Sequence, residues 1–212
     1  FENHSKYGGA IYSYVPGKEM MNINLYIPSV LTWKEKSLKL RMTTDYPEHG
    51  KVVIKLEETS KEPLTINLRR PVWAAGDVAI RINGSKQKVE SVPGSFISLH
   101  RKWKKNDVIE LILPMPLYTV SMPDNVDRRA VFYGPTILAG TFGTEKRKMG
   151  DIPVFVSEEK SLTNYIKKIS DTSVSFVTTL PGGPDNVKML PFYKVADENQ
   201  TVYWDVYSPA EW

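Results

Sequence analysis

Leu64-Thr65-Ile66-Asn67-Leu68-Arg69, read on through Ile80-Arg81-Ile82-Asn83-Gly84 to Ile109-Glu110-Leu111-Ile112-Leu113 and Pro114-Met115-Pro116-Leu117, decides the fold. Leu64, Ile66 and Leu68 alternate with Thr65, Asn67 and Arg69, the period-two pattern of a strand with one dry and one wet face. Pro71 cannot donate to a ladder and Gly76 interrupts extension, which leaves Trp73 at a corner as an apolar anchor with one polar handle. Val78, Ile80 and Ile82 resume the alternation and end at Asn83-Gly84, a strong short hairpin signal. Ile97 and Leu99 follow Pro93-Gly94; then come Trp103, a polar turn at Lys104-Lys105-Asn106-Asp107, and a last run of Ile109, Leu111 and Leu113. Two hairpin signals set back to back, with reversals this tight, predict a β-sandwich.

The same period extends outward. Ile23, Leu25 and Ile27 predict a strand over 22–27 that Pro28-Ser29 ends. Leu38, Leu40 and Met42 predict a second strand and Val52, Ile54 and Leu56 a third, joined by a turn at Asp45–Gly50. Tyr7–Tyr14 reads as the last turn of a helix or as a strand, its Gly8-Gly9 pair allowing either. Beyond Leu117, strands are expected at Tyr118–Ser121, Arg129–Gly140, Ile152–Val156, around Val174 and Phe176, at Val187–Tyr193, and around Val202, Trp204 and Val206. Turns fall at Pro123-Asp124-Asn125 and Pro181-Gly182-Gly183-Pro184, and Gly140–Gly150 is a charged loop. Ser157 can cap a helix in which Leu162, Tyr165, Ile166 and Ile169 recur at helical spacing. The reading is all-β: two consecutive, mainly antiparallel, jelly-roll-like β-sandwiches at 23–117 and 118–212 with one short helix, preceded by a segment 1–22.

At 212 residues, 41% hydrophobic and 25% charged, the chain is long enough for two sizeable cores and too apolar to be disordered. Its 28 Lys and Arg are dispersed among 24 Asp and Glu, a mixed solvated surface that gives no reason to expect a nucleic-acid partner. No apolar run reaches the ~20 residues of a membrane span, so no membrane partner is expected. With no Cys, the chain can build neither a disulfide framework nor a thiolate metal site. The opening Phe1-Glu2-Asn3-His4 lacks the form of a signal peptide or of a natural start, and reads as a cut from a longer chain. The triplets Asn3-His4-Ser5, Asn83-Gly84-Ser85 and Asn199-Gln200-Thr201 fit the glycosylation pattern but arise often by chance, and carry no weight.

Leu68-Arg69-Arg70-Pro71-Val72-Trp73, Ile82-Asn83-Gly84, Pro93-Gly94, Arg101-Lys102-Trp103, Asp107 and Leu113-Pro114-Met115-Pro116-Leu117 together resemble the β-sandwich that follows the catalytic domain in glycoside hydrolase family 127, which contains the β-L-arabinofuranosidases. Asn22–Ser29 is similar to the strand by which that family enters the sandwich, Arg129–Gly140 to its Gly-Pro segment, and Leu190-Pro191-Phe192-Tyr193 with Tyr203-Trp204 to its closing strand. Thr44-Asp45-Tyr46-Pro47 with Gly50 resembles its Tyr-Pro-Trp-x-Gly turn. Here Glu48 replaces the Trp, which argues against that turn as an aromatic sugar platform. Ala196–Gln200 stands where family members carry a His and an Arg-Tyr pair. The opening resembles the segment just after the family's cysteine pair, so 1–22 is expected to be a remnant of the upstream helical catalytic domain and its linker.

The resemblance implies retaining hydrolysis of an arabinofuranoside by a zinc-held cysteine nucleophile with a glutamate acid/base. That chemistry falls outside this chain. No catalytic residue, metal ligand or cofactor is expected within 1–212, and zinc belongs to the catalytic domain of the parent. Expected partners are that domain, a glycan, and a second copy of the parent; the expected location is the periplasm or exterior of a bacterium. Glu2 and His4 could line the rim of the parent's active site, although a frayed terminus explains them as well. Trp33, Trp73 and Trp103 could stack on sugar rings, although Trp beside a Pro corner in a sandwich is more often packing. His49 and His100 have no second ligand at a metal spacing, and strand geometry sends Glu57 and Glu58 to opposite faces. Two roles follow: a non-catalytic module that buttresses the barrel, or a carbohydrate-binding module. Buried tryptophans would favour the first and an exposed, coplanar aromatic pair the second.

Overall fold

The structure, a computed structural model, describes residues 2–145, 152–179 and 186–212, with side chains from Lys6 onward. The described residues form one α-helix and 19 strands in three sheets. The chain divides into two compact units, Phe1–Met115 and Pro116–Trp212.

In the first unit, helix α1 (Glu2–Ala10) precedes β1 (Tyr12–Tyr14), β2 (Met20–Ile23), β3 (Ser29–Trp33), β4 (Leu38–Thr44), β5 (Lys51–Glu58), β6 (Leu64–Arg69), β7 (Ala79–Ile82), β8 (Ser85–Gln87), β9 (Phe96–Arg101) and β10 (Val108–Ile112). One sheet runs β1-β2-β6-β9 and the other β3-β4-β5-β10-β7-β8. The alternation read from sequence becomes burial. Leu40, Val52, Ile54, Leu56, Ile66, Leu68, Ile80, Ile109 and Leu111 are all fully buried in one core between the sheets. At Asn83-Gly84 the backbone takes φ of 51° and 82°, the double positive φ of a two-residue hairpin turn, and Ile82 pairs with Ser85.

Three expectations need correction. The strand expected over 22–27 is β2, over 20–23, and it joins β6 in parallel, Met21 opposite Ile66. It ends at Asn24, whose N–H donates to the carbonyl of Ile11, while Tyr26 turns inward to donate its hydroxyl to the carbonyl of Arg69. The back-to-back hairpins are only half realised. β7 pairs with β8, but β9 and β10 lie in different sheets, β9 on β6 and β10 between β5 and β7. The segment 1–22 supplies β1 and most of β2 to the four-stranded sheet.

The second unit contains β11 (Leu117–Ser121), β12 (Arg128–Tyr133), β13 (Thr136–Thr141), β14 (Val154–Val156), β15 (Ile166–Lys168), β16 (Phe176–Thr178), β17 (Lys188–Pro191), β18 (Gln200–Thr201) and β19 (Tyr203–Tyr207). β12 is its branch point: residues 128–130 pair with β19 and residues 131–133 with β13. From there the order runs β14-β19 on one side and β13-β17-β16-β15 on the other. Val131, Leu138, Phe155, Phe176, Met189, Trp204 and Val206 form the buried core. The third correction falls here. No α-helix forms over 157–169; Leu162–Tyr165 is a single 3-10 turn and Ile166–Lys168 a strand against β16. The one α-helix among the described residues lies at Glu2–Ala10 instead. The Pro181–Pro184 turn and residues 146–151 of the charged loop lie outside the described residues.

Candidate functional site

The three tryptophans of the first unit, Trp33, Trp73 and Trp103, sit in three different environments. Trp103 is core: it is 3% exposed and its Nε1–H donates to the carbonyl of Leu64 at 2.8 Å, the satisfied polar handle of a buried indole. Trp33 is half-buried at the end of β3, with Tyr14 of β1 at 5.2 Å and tilted by 40°. These rings line a cleft of about 230 Å³ between the edge strands of the two sheets, with Tyr12, Met21 and Leu31.

Trp73 is half-buried at the Pro71 corner and lies nearly parallel to Tyr46, 25° between planes and 6.3 Å between centroids. At that separation the rings are laterally offset rather than eclipsed. Tyr26 meets Tyr46 edge-on at 5.9 Å. The three rings, with Asn24, Ile27, Arg69 and Val72, line an open cleft of about 460 Å³, within the ~300–1,000 Å³ of small-ligand sites. Burial drives the Tyr26 phenol well above its usual pKa, with Tyr46 adding to the shift, so it is a neutral donor to the Arg69 carbonyl. The Arg69 side chain is exposed and makes one long contact, Nη1 to the carbonyl of Asn24 at 3.5 Å. Glu48 stands where the Tyr-Pro-Trp-x-Gly pattern has its second aromatic ring, yet Tyr46 from that same turn supplies the aromatic wall.

Next in sequence to Arg69 is Arg70, a guanidinium only 7% exposed with no carboxylate partner among the described residues. Its Nε and Nη2 donate to the carbonyl of Ala74 at 3.1 and 3.0 Å, Nη2 also to Gly76 at 2.7 Å, and Nη1 to the carbonyl and hydroxyl of Ser91 at 2.6 and 3.0 Å. It thereby fixes the corner that carries Trp73. In the sequence, nothing about Arg70 beyond its place in the Leu68–Trp73 motif signals this role. The signal for Tyr46 and Trp73 was their position beside Pro47 and Pro71; nothing local indicated that residues 27 apart would meet.

The remaining candidates do not assemble. His100 shares a 2.9 Å hydrogen bond between Nδ1 and the Thr65 hydroxyl, and His49 sits in the turn before β5 with Asp45 and Lys51 nearby. Glu57 is held below the usual carboxylate range by Arg41 first, at 2.7 Å, and by Lys39, at 3.2 Å. Among the described residues no three His, Asp or Glu side chains converge, and the sequence has no Cys. The thiolate zinc site implied by the resemblance therefore does not fit the residues of this chain. Glu2 and His4 lie on α1, and their side chains fall outside the described residues. Among the described residues no helix is long and apolar enough to cross a membrane.

Residues 20–115 match the family model "Beta-L-arabinofuranosidase, GH127 middle domain". No curated protein matches the chain in sequence. Among solved structures, a glycoside hydrolase is 20% identical with a TM-score of 0.70, covering 93% of this chain and 37% of its own. A family 127 β-L-arabinofuranosidase from Geobacillus stearothermophilus T6 is 17% identical with a TM-score of 0.71, covering 95% and 36%. A further family 127 β-arabinofuranosidase is 19% identical with a TM-score of 0.71, covering 95% and 38%. The chain thus spans little more than a third of the solved proteins whose fold it shares. Residues 20–115 thus match the middle domain of glycoside hydrolase family 127, and the chain resembles a partial region of the proteins of that family.

Proposed function

We propose that this chain is a non-catalytic support region of a glycoside hydrolase acting on arabinofuranoside-containing plant glycans, and that it buttresses the catalytic barrel. The observation that carries the reading is the middle-domain match over 20–115 in a sequence that has no Cys to serve as a thiolate nucleophile. The parent, in this reading, is a bacterial periplasmic or extracellular enzyme whose zinc is held by its catalytic domain, and it associates as a homodimer. The test is metal analysis of the chain together with arabinose release from a chromogenic arabinofuranoside, the full-length parent serving as control. No stoichiometric zinc and no turnover are expected. Turnover at a meaningful fraction of the parent's rate would overturn the reading.

A second reading, a carbohydrate-binding surface, is favoured by one specific observation. Trp73 and Tyr46 are half-buried, nearly parallel, and line an open cleft instead of the core.

A further inference from the structure

The face of the four-stranded sheet that points away from the core carries an unusual polar row. Ser13 pairs with Asn22 across β1 and β2, Asn22 with Asn67 across β2 and β6, and Asn67 with Ser98 across β6 and β9. Period-two geometry puts these four side chains on one face, side by side. Three of them, Ser13, Asn22 and Asn67, are linked by hydrogen bonds. Asn67 Nδ2 donates to Asn22 Oδ1 at 2.8 Å, and Asn22 Nδ2 donates to the Ser13 hydroxyl at 3.2 Å. Asn67 is only 6% exposed, and its Oδ1 has no hydrogen-bond partner among the described residues. That oxygen is enclosed at the middle of the row, whereas Ser13 and Ser98 at its two ends are exposed.

Two positions along β6 on the same face stands Arg69, a lining residue of the Trp73 cleft. Polar row and aromatic cleft are therefore contiguous.

We infer that this face binds a neutral oligosaccharide, with one sugar ring against Trp73 and Tyr46 and its neighbours hydrogen-bonded to Arg69 and to the exposed Ser13 and Ser98 of the polar row. The inference deepens the carbohydrate-binding reading and rests on it. The chemistry selects the ligand. Sugar hydroxyls both donate and accept, as amides and serine hydroxyls do, and a ring's C–H face suits an aromatic wall. The cleft is lined by no carboxylate, and its cation is a planar fork with donors to spare.

The experiment is isothermal titration of the 212-residue chain with a linear arabino-oligosaccharide and a xylo-oligosaccharide, and with a proline-rich peptide as the competing occupant of an aromatic groove. At least one oligosaccharide is expected to bind. Arg69→Ala, at an exposed position, is expected to weaken it about tenfold, the equivalent of one hydrogen bond to a charged group. Trp73→Ala is expected to weaken it at least as much, and Trp33→Ala to leave it unchanged. Thermal melts of each variant separate lost binding from lost folding. Absence of oligosaccharide binding, affinity unchanged in both Arg69→Ala and Trp73→Ala, or binding of the peptide alone would overturn the inference. None of these outcomes bears on the support role, which the zinc and turnover assays decide separately.

Discussion

The indole of Trp204 lies against the backbone of Gly140. A Cβ on Gly140 would stand 2.6 Å from Cζ2 and 2.8 Å from Cη2 of that ring, with Val187 Cγ1 at 3.1 Å. Trp204 is fully buried, and Phe155 meets it edge-on at 4.9 Å, so the ring cannot withdraw without displacing the core of the second unit. Gly140→Ala is accordingly expected to cost about 1–3 kcal/mol, the range of an overpacked core. Urea unfolding followed by tryptophan fluorescence would measure it; a variant with the wild-type midpoint would refute the packing argument.

The obstacle at Gly50 is harder. A Cβ there would meet the carbonyl oxygen of Leu113 at 2.1 Å, and Leu113 N–H donates to the Gly50 carbonyl at 2.9 Å. Backbone, not the end of a flexible side chain, is in the way, so relief requires β5 and the end of β10 to separate. Gly50→Ala is expected to lose roughly 3 kcal/mol or more, the upper end for overpacking, and more than Gly140→Ala does. The reverse order of midpoints for the two variants would contradict this account.

The contrast between the two units shows what a sequence of this kind discloses. Where one face is dry and the other wet, as in Leu38–Thr44, Lys51–Glu58 and Leu64–Arg69, the period is visible and the strands are found in place. Asn83-Gly84 was legible because only a few residue types tolerate two positive φ angles in succession. Leu162, Tyr165, Ile166 and Ile169 misled, because helical spacing competed with pairing to a distant strand and lost. Ile166 pairs with Thr178, the Tyr165 carbonyl accepts from Thr179 N–H at 2.8 Å, and Ile169 is left exposed. The parallel seating of β2 on β6, and with it the Asn22–Asn67 row, was invisible for the same reason: nothing local specifies a partner 45 residues away. The cleft was partly legible. Trp73 was singled out, but Tyr26, Tyr46 and Arg69 acquire a role only when the loops carrying them meet.

Arg70 gives a third expectation. Its fork satisfies the carbonyls of Ala74, Gly76 and Ser91, and its own backbone receives Gly94 N–H at 2.9 Å. Lysine keeps the charge but cannot span these acceptors, whereas methionine fills the space and strands all three. Both Arg70→Lys and Arg70→Met are expected to cost about 3 kcal/mol, since each loses charge-assisted bonds in a buried setting. Hydrogen exchange should quicken at Ala74 and Gly94 while Ile66 and Ile109 stay protected. Unchanged exchange at Ala74 and Gly94 would remove Arg70 as the brace of the Trp73 corner.

Acid should loosen the first unit at Asp107. Burial alone would raise this carboxyl's pKa, but Asn83 Nδ2 donates to Oδ1 at 2.8 Å and Lys104 N–H donates to Oδ2 at 2.8 Å, and with nearby Arg101 and Lys104 they bring it below its usual value. Asn83 Oδ1 in turn accepts from Val108 N–H at 2.8 Å, so the carboxylate ties the β7–β8 hairpin to the start of β10. A folded-state pKa below the unfolded one means that the native state binds the proton less readily. The contribution is therefore fully present above the unfolded value and is lost as pH falls through the folded value. Asp107→Asn keeps the shape and one acceptor, but its amide N–H₂ cannot replace the second. At neutral pH the variant is expected to be about 1–3 kcal/mol less stable than the wild type, the cost of unmaking buried hydrogen bonds to a charged group. The gap should narrow as pH falls below about 4, the ordinary aspartate range, because the wild type then loses the same charge. Paired urea titrations of both proteins from pH 7 to pH 2 measure the difference, and other titrating carboxylates such as Glu57 and Glu211 cancel in it. A gap that stays constant across that range would show that the Asp107 carboxylate contributes nothing through its charge.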